Sequence, residues 1–206
     1  MSYSHATPTL RREDAALLRG EACFGQDLKL PHALHLAFVR SPQAHAHILH
    51  METASALQMP GVNAVLTATD LGQHWMPSIN PLLPLLHDVQ FELLAQDTVS
   101  YVGQVVAVVV AQDRYIAEDA LDLIRVDYQP LTAVVEIEAA VAEGAVLLHE
   151  AVGSNVVSER HFSYGEPDTH FSDSQRISTT VHYPRNSCSP IECAVVIADR
   201  KSTRLN

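Results

Sequence analysis

The chain has 206 residues, and 47% of them are hydrophobic, so it can bury the core of a globular protein with one or two domains. Its 13 Lys and Arg are outnumbered by 24 Asp and Glu, which gives a formal net charge of -11. A surface with this charge gives no general electrostatic support for binding phosphate, and the composition therefore argues against nucleic acid as a partner.

The N-terminal residues are polar, and we expect residues 1–16 to form a flexible segment. They lack the apolar stretch of a secretory signal, and no run in the sequence approaches the ~20 apolar residues that span a bilayer. Three cysteines are too few for a disulfide framework. These features together predict a cytoplasmic protein with no membrane partner.

Short apolar runs in the first third of the chain predict three strands and one helix. The run ALHLAFVRS after Pro31 suits a strand, and the alternation of Ala, Ala and Ile with other residues over residues 44–49 predicts a second strand. TASALQM at residues 53–59 is helix-prone, with Thr53 as its cap, and VNAVLTA then predicts the third strand. Residues 69–84 hold the only tryptophan beside a glycine and three prolines, and they predict a long loop.

The clearest pattern in the sequence is YVGQVVAVVVAQ at residues 101–112. A turn marked by glycine is followed by a continuous apolar run over residues 105–111, which predicts a strand buried on both faces. Asp113 is a good N-cap for a helix of about three turns. Its inward side chains are predicted to be Ile116, Ala120, Leu123 and Ile124. RVDYQPL then returns as a strand, and this order predicts α/β or α+β layering.

The character of the sequence changes after Ala140, where glycines interrupt a more polar chain. A domain boundary or an extended connector is expected near residues 130–155. Beyond it, VVSERHFSY, RISTTVHYP and CAVVIAD alternate apolar and polar residues, and they predict strands of a new antiparallel sheet. Only the beginning of that second unit is expected to be present.

Three histidines lie within six positions, at His45, His47 and His50. On a strand, His45 and His47 would point to the same face, as two metal ligands could. A zinc site usually needs further ligands and supporting hydrogen bonds, which the sequence does not assign. We therefore favour histidines on the solvent-facing side of a strand over metal binding.

The cysteines offer a second candidate site. Cys188 and Cys193 are five positions apart with Pro190 between them, and Cys23 is remote in sequence. An iron-sulfur cluster needs four ligands, so these residues are too sparse for one. A reactive thiol near Cys188 is an alternative, but a small apolar residue in a strand or loop is the preferred interpretation.

Two carboxylates, Glu118 and Asp122, are four residues apart on the predicted helix. They could share a face and support acid-base chemistry, although a solvated helix face is the preferred interpretation. The sequence contains no glycine-rich phosphate loop and no G-x-S-x-G nucleophile elbow. Residue spacing alone thus predicts an α+β domain without recognisable catalytic machinery.

Five stretches taken in order resemble one family: LLRGEACFGQD, RSPQAHAHI, PGVNAVLTATDL, YVGQVVAVVVA and EDALDLIRVDYQPL. They are similar to the N-terminal part of the molybdenum-binding large subunit of xanthine dehydrogenases, aldehyde oxidases and aerobic carbon monoxide dehydrogenases. A shorter match, SPIECAVVIAD, resembles the opening of that family's molybdopterin-binding region. The resemblance spans residues 11–199. It departs from the family at Gln104-Val105, where Glu-Pro is common, and at Cys193-Ala194, where arginine is frequent.

The resemblance implies an α+β fold, with an α/β hammerhead domain followed by the truncated beginning of a second, α+β molybdopterin-binding domain. We expect a hammerhead domain at residues 17–135, a connector at 136–155 and the start of the second domain at 156–200. The final letters KSTRLN do not resemble the family. Residues 201–206 are therefore expected to be a non-native tail.

The resemblance also implies an oxidoreductase parent that hydroxylates an aldehyde or a purine-like heterocycle, or oxidises carbon monoxide, with water as the oxygen source. It implies molybdenum-molybdopterin as the cofactor, with the cytosine dinucleotide form as one alternative. Iron-sulfur clusters and FAD are expected on partner chains or domains, in an oligomeric complex. The family's catalytic glutamate and pterin-contacting loops lie downstream of these motifs, so no catalytic, cofactor or metal residue is assigned in this chain.

On this interpretation the 206-residue chain is itself structural, serves assembly and is inactive. One alternative is a free-standing hammerhead module that binds or scaffolds without redox activity. Another is metal storage or sensing by the histidines. The substrate and the branch of the family stay open, and so does one question about the histidine cluster: whether His45 has a buried hydrogen-bond partner.

Overall fold

A computed structural model describes most of the chain, with backbone alone for residues 75–76. The described residues are 11–71, 75–76, 89, 91–166, 171, 175–184, 186–190 and 192–198. The chain divides into two compact units. The larger unit is His32–Ser174, and the smaller unit consists of Met1–Pro31 together with Gln175–Asn206. The predicted tail at residues 201–206 and most of the predicted flexible segment lie outside the described residues.

Most of the regular structure belongs to the unit His32–Ser174. Its strands are β1 (His35–Arg40), β2 (Ala46–Glu52), β3 (Val62–Thr67), β4 (Trp75–Met76), β5 (Phe91–Glu92), β6 (Thr98–Val99), β7 (Val105–Ala111) and β8 (Arg125–Pro130). Its α-helices are α2 (Ala54–Leu57), α3 (Ala68–Leu71), α4 (Arg114–Leu121) and α5 (Ile137–Val141), and Glu150–Val152 is a 3-10 helix. Helix α1 (Asp14–Leu18) belongs to the other unit. The mixed α+β fold is the predicted one.

Sheet one has the strand order β1-β7-β3, and both pairings are antiparallel. Strand β7 has the predicted bounds. Its apolar residues suit the centre of the sheet, and five of the seven are buried. Val109 lies opposite Ala37 of β1 and Val65 of β3, on the face that meets α2 and α4. The prediction of a buried central strand is confirmed.

Helix α4 packs on sheet one as predicted but is shorter than expected. Asp113 is its N-cap, and its carboxylate accepts a hydrogen bond from the Ile116 amide at 2.9 Å. The predicted three turns are wrong, because the chain tightens after Leu121 and the amides of Leu123 and Ile124 bond three residues back. Ile124 still reaches the core, but Leu123 is 40% exposed and does not belong to the inward stripe.

Replacing the cap of α4 should destabilise this unit. We expect Asp113→Ala to lower the free energy of unfolding by about 1 kcal/mol, since the Ile116 amide loses its side-chain acceptor. Urea unfolding followed by circular dichroism measures the change. The matched control is Asp122→Ala at the exposed C-cap. A control that costs as much as Asp113→Ala would contradict the capping role.

Sheet two has the order β6-β2-β8, again antiparallel. The predicted strand at 44–49 exists but runs from Ala46 to Glu52, because β8 pairs along its whole length. A register shift between Ile48 and His50 interrupts the two-residue alternation, which is why the pattern in the sequence ended too early. The inward residues of this sheet pack with Ala95 and Val106 in a shared core.

Helix α2 replaces the predicted helix at 53–59 and covers only four residues. Thr53 holds the N-cap position, but its side chain makes no capping hydrogen bond, so the predicted capping role is wrong. The carboxylate of Glu52 accepts from the Ala54 amide at 2.8 Å instead. A neighbouring carboxylate thus satisfies the free amide at the start of the helix.

The loop predicted at 69–84 is wrong at its beginning, where α3 ends at Leu71, and at β4, which pairs with β5. The other residues of that loop lie outside the described part of the chain. Asp70 accepts hydrogen bonds from the hydroxyl and from the amide of Thr67, both at 2.7 Å. The hydroxyl, followed by the amide, holds the pKa of Asp70 below its ordinary value.

The lowered pKa of Asp70 predicts the sign of the pH dependence of the free energy of unfolding. Because the pKa of Asp70 is lower in the folded chain, its contribution to stability is present above the unfolded pKa of about 3.9 and is lost as the pH falls through the folded value. We expect Thr67→Ala to raise the pKa of Asp70 towards its ordinary value in a carbon-13 NMR titration. Thr98→Ala, on sheet two, is the control and should leave that pKa unchanged.

The second unit has little regular structure in its described residues. Helix α1 begins at Asp14, so the flexible segment predicted at residues 1–16 is wrong for residues 14–16. The strands predicted in RISTTVHYP and CAVVIAD are wrong for the residues described there, which form no strand. VVSERHFSY, in the larger unit, has only a single bridge residue, Ser158. None of the described helices has the length and apolar character needed to cross a membrane.

Candidate functional site

Two turns of the larger unit bring several polar groups together. The Ser41 amide donates to the Gln104 carbonyl at 2.9 Å, and the Gly103 amide donates to the Ser41 carbonyl at 2.8 Å. The Arg40 guanidinium adds a third link to the Gly103 carbonyl at 2.9 Å. We call residues 40–45 and 100–104 the RSP-YVG junction. It joins the end of β1 to the start of β7.

Each turn of the junction is also closed internally. The Ser41 hydroxyl donates to the Gln43 carbonyl and accepts from the Gln43 amide, at 3.1 and 3.0 Å. The Gln104 side-chain oxygen accepts from the Ser100 amide at 2.7 Å. Gly103 has a φ of 91°, which glycine adopts without strain. Gln104 thus fills a role that a glutamate carboxylate could also fill, so this departure from the family pattern preserves the turn.

His45 lies in the junction, and its side chain is buried. It is 7% exposed, and its Nδ1 lies 2.8 Å from the Thr132 carbonyl oxygen. A carbonyl oxygen only accepts, so Nδ1 carries the hydrogen and donates it. The preferred interpretation of a solvent-facing His45 is therefore wrong. The open question about a buried partner for His45 is answered by Thr132.

The other two histidines have a different environment. His47 and His50 are exposed on β2, and Nδ1 of His47 lies 3.1 Å from the Thr98 hydroxyl. His47 therefore matches the predicted outward position. His45 precedes the strand and is held by Thr132, so the expected shared face of His45 and His47 does not form. Within the described residues, no group of three or more His, Cys, Asp and Glu side chains could hold a metal ion.

Tyr128 of β8 brings a further polar group to the junction. Its ring packs against the core that contains Ala46 and Val99, and its hydroxyl is buried. Burial raises the pKa of the Tyr128 phenol above its ordinary value, and the Ser41 hydroxyl partly offsets that rise. A buried phenol with a raised pKa stays protonated at neutral pH. It acts here as a packing group and not as an anion.

The remaining candidates do not converge on a site. Cys23, Cys188 and Cys193 are free and exposed, so the interpretation of Cys188 as a small apolar residue lacks support from burial. Glu118 pairs with Arg114 at 2.7 Å, and Asp122 is the exposed C-cap of α4. The two carboxylates therefore belong to a solvated face, as preferred.

A shallow cavity of about 350 Å³ is formed by the connector after β8, around Asn155. Both ends of the Asn155 amide are used within the chain. Its oxygen accepts from the Leu148 amide at 3.0 Å, and its nitrogen donates to the carbonyls of Ala140 and Val146 at 3.0 and 2.8 Å. The cavity therefore lies beside the hydrogen bonds with which Asn155 closes this loop.

Sequence reasoning missed one contact in the smaller unit. The Glu192 carboxylate accepts from the Gly25 amide at 2.9 Å, and a Cβ at Gly25 would lie 3.0 Å from Cγ2 of Val195. The signal was available, because Gly25 and Glu192 stand in the first and the last of the stretches that resemble the family. What spacing could not show is that stretches 167 positions apart meet.

Comparisons with known proteins support the resemblance. Residues 19–132 match a family model described as aldehyde oxidase and xanthine dehydrogenase, a/b hammerhead domain. The carbon monoxide dehydrogenase large chain of Hydrogenophaga pseudoflava is 35% identical over 204 residues, which cover 91% of this chain and 24% of that protein. The corresponding chain of Afipia carboxidovorans is 43% identical over 145 residues, 69% of this chain and 17% of that protein.

A solved structure shows the same likeness. Quinoline 2-oxidoreductase from Pseudomonas putida 86 superimposes with a TM-score of 0.64 and 41% identity, over 74% of this chain and 19% of that one. The chain thus spans about a quarter or less of the length of each of these relatives.

Proposed function

This chain belongs to the family of aldehyde oxidase and xanthine dehydrogenase hammerhead domains, and from that premise we propose that it is the hammerhead-bearing part of a molybdenum hydroxylase large subunit. The observation that carries the proposal is the match of residues 19–132 to the hammerhead model, in a chain that spans 24% of a curated large chain. The parent subunit would be an oxidoreductase.

The proposed parent reaction is hydroxylation of an aldehyde or a purine-like heterocycle, or oxidation of carbon monoxide, with water as the oxygen source. Molybdenum-molybdopterin would be its cofactor, and iron-sulfur and flavin subunits would be its partners in a cytoplasmic complex. The described residues include no donor set for a metal ion. The resemblance implies that the cofactor-contacting loops lie in the part of the parent that this chain does not span, and no step of the reaction is assigned to this chain.

The role we propose for the chain itself is packing and assembly. In the RSP-YVG junction the side chains of Arg40 and His45 donate hydrogen bonds to backbone carbonyls, and the candidate histidines, cysteines and carboxylates form no cluster of three among the described residues. The proposed division is a hammerhead at 17–135, a connector at 136–155 and the start of a molybdopterin-binding domain at 156–200. The RSP-YVG junction ties the end of β1 to the start of β7, and we assign the chemistry to other parts of the parent.

A domain exchange tests this proposal. Residues 19–132 would replace the matching segment in the large chain of the Hydrogenophaga pseudoflava enzyme, which is then expressed with its partner subunits. We expect the chimera to assemble and to retain molybdenum, measured by size-exclusion chromatography and by elemental analysis. A large chain with the segment deleted is the control. A chimera that assembles no better than the deleted chain would refute the proposal.

The isolated 206-residue chain provides the complementary measurement. It should retain no molybdenum and should show no turnover of carbon monoxide, aldehydes or xanthine with an artificial electron acceptor. Turnover by the purified chain that survives removal of contaminating proteins would contradict the assembly role.

A further inference from the structure

The two sheets of the larger unit have outer faces of opposite chemistry. On sheet two the paired outward positions are polar, and the exposed Leu49 lies at the register shift of β2. The cross-strand neighbours there are His47 with Gln129, His50 with Asp127 and Glu52 with Arg125. This is the pattern of an antiparallel sheet with one face in the core and the other in water.

Sheet one lacks such a polar face. Its inner face meets α4 and α2 through Ala37, Val109 and Ala111. The register places a second set of side chains on the opposite side, with Leu36 and Ala64 beside Val110 and with Phe38 and Leu66 beside Val108. We call these six residues the outer face. All six are apolar, so β7 contributes valines to both sides of the sheet.

The side chains of the outer face differ in their exposed fractions: the centre is buried, and two side chains of β1 are exposed. Val108 at its centre is 9% exposed, whereas Phe38 is 43% and Leu36 is 57% exposed. The Arg40 guanidinium lies 5.7 Å from the centre of the Phe38 ring and also bonds Gly103, so the edge of the face is held in place by the junction. Leu36 and Phe38 are thus exposed apolar neighbours on β1, next to four apolar side chains that are half-buried or buried, and apolar patches of this kind mark interaction surfaces.

We infer that the outer face is the surface on which the rest of the large subunit docks. The inference rests on the proposed function. Its occupant is the part of the polypeptide that this chain does not span, about three quarters of the length of the Hydrogenophaga pseudoflava large chain. That part is joined covalently to the hammerhead, so its effective concentration at the face is high. Permanent interfaces are more apolar than transient ones. The six apolar side chains of the outer face fit a permanent interface.

The test places Leu36→Thr and Phe38→Thr together in the chimeric large chain and, separately, in the isolated 206-residue chain. Threonine keeps the tendency to form a strand and removes apolar area. Leu49→Thr is the matched control, because Leu49 is 63% exposed on sheet two. In the isolated chain, circular dichroism should show that both variants fold as the parent sequence does.

In the chimera the double variant should lower the yield of assembled large chain by roughly tenfold or more, and Leu49→Thr should leave it within about twofold. A double variant that assembles as well as the unsubstituted chimera would overturn the docking surface and leave the proposed function standing. An unsubstituted chimera that fails to assemble would overturn both. A dimer of the isolated chain that the double variant abolishes would assign the face to a second copy and also overturn the inference.

Discussion

Val109→Asp should abolish the cooperative unfolding transition of the larger unit. Val109 is fully buried in the central strand β7 and packs against Ala120 and Ile124 of the overlying segment. The residues that surround it in this core are apolar, so a carboxylate there would be either charged without a partner or protonated at high cost. We expect a loss of at least about 4 kcal/mol, which marks a buried unpaired charge. Urea unfolding followed by circular dichroism should therefore show no cooperative transition for this variant.

The matched control is Val135→Asp, which makes the same chemical change at a side chain that is 80% exposed. Its effect on the free energy of unfolding should stay within about 0.5 kcal/mol. Equal losses at the two positions would mean that β7 is not the centre of the core.

The bounds of β7 and the cap of α4 could be predicted because each depends on a local pattern. A continuous β-branched run identifies a buried strand, and an aspartate three residues before a helical amide identifies a cap. The end of α4 was predicted less well. Ile124 does lie in the core, but the chain reaches it through tighter turns that move Leu123 into solvent. Helical spacing predicts which apolar residues share a face only while the helix continues. It does not show where the backbone leaves that geometry.

The strands expected near the C-terminal end failed for another reason. A strand is defined by hydrogen bonds to a partner, so a segment such as RISTTVHYP has the composition of a strand without forming one. The RSP-YVG junction was also beyond local pattern. Arg40 and Gly103 are 63 positions apart, and only the folded sheet brings them together. Both segments belong to the stretches that resemble the family. The resemblance could not show that they form hydrogen bonds with each other.

His45→Phe should destabilise the larger unit because the buried His45 ring donates a hydrogen bond to the Thr132 carbonyl. The substitution keeps a ring in the site but leaves the Thr132 carbonyl without the hydrogen bond from Nδ1. We expect a loss of about 1–3 kcal/mol in the free energy of unfolding, the usual cost of an unpaired buried polar group. His45→Asn should lose less, since its side-chain amide can still donate. Urea unfolding compares the three proteins.

The same change on the exposed strand provides the control, and it decides between the two interpretations of the histidine cluster. His47→Phe removes only a contact between Nδ1 and the Thr98 hydroxyl at the surface, so the free energy of unfolding should change by less than about 0.5 kcal/mol. If His45 were a ligand, zinc would stabilise the unsubstituted chain and His45→Phe would cost nothing without metal. If it is the donor described here, the loss occurs in the presence of a chelator. Nitrogen-15 NMR should then find the hydrogen on Nδ1, the nitrogen that faces Thr132.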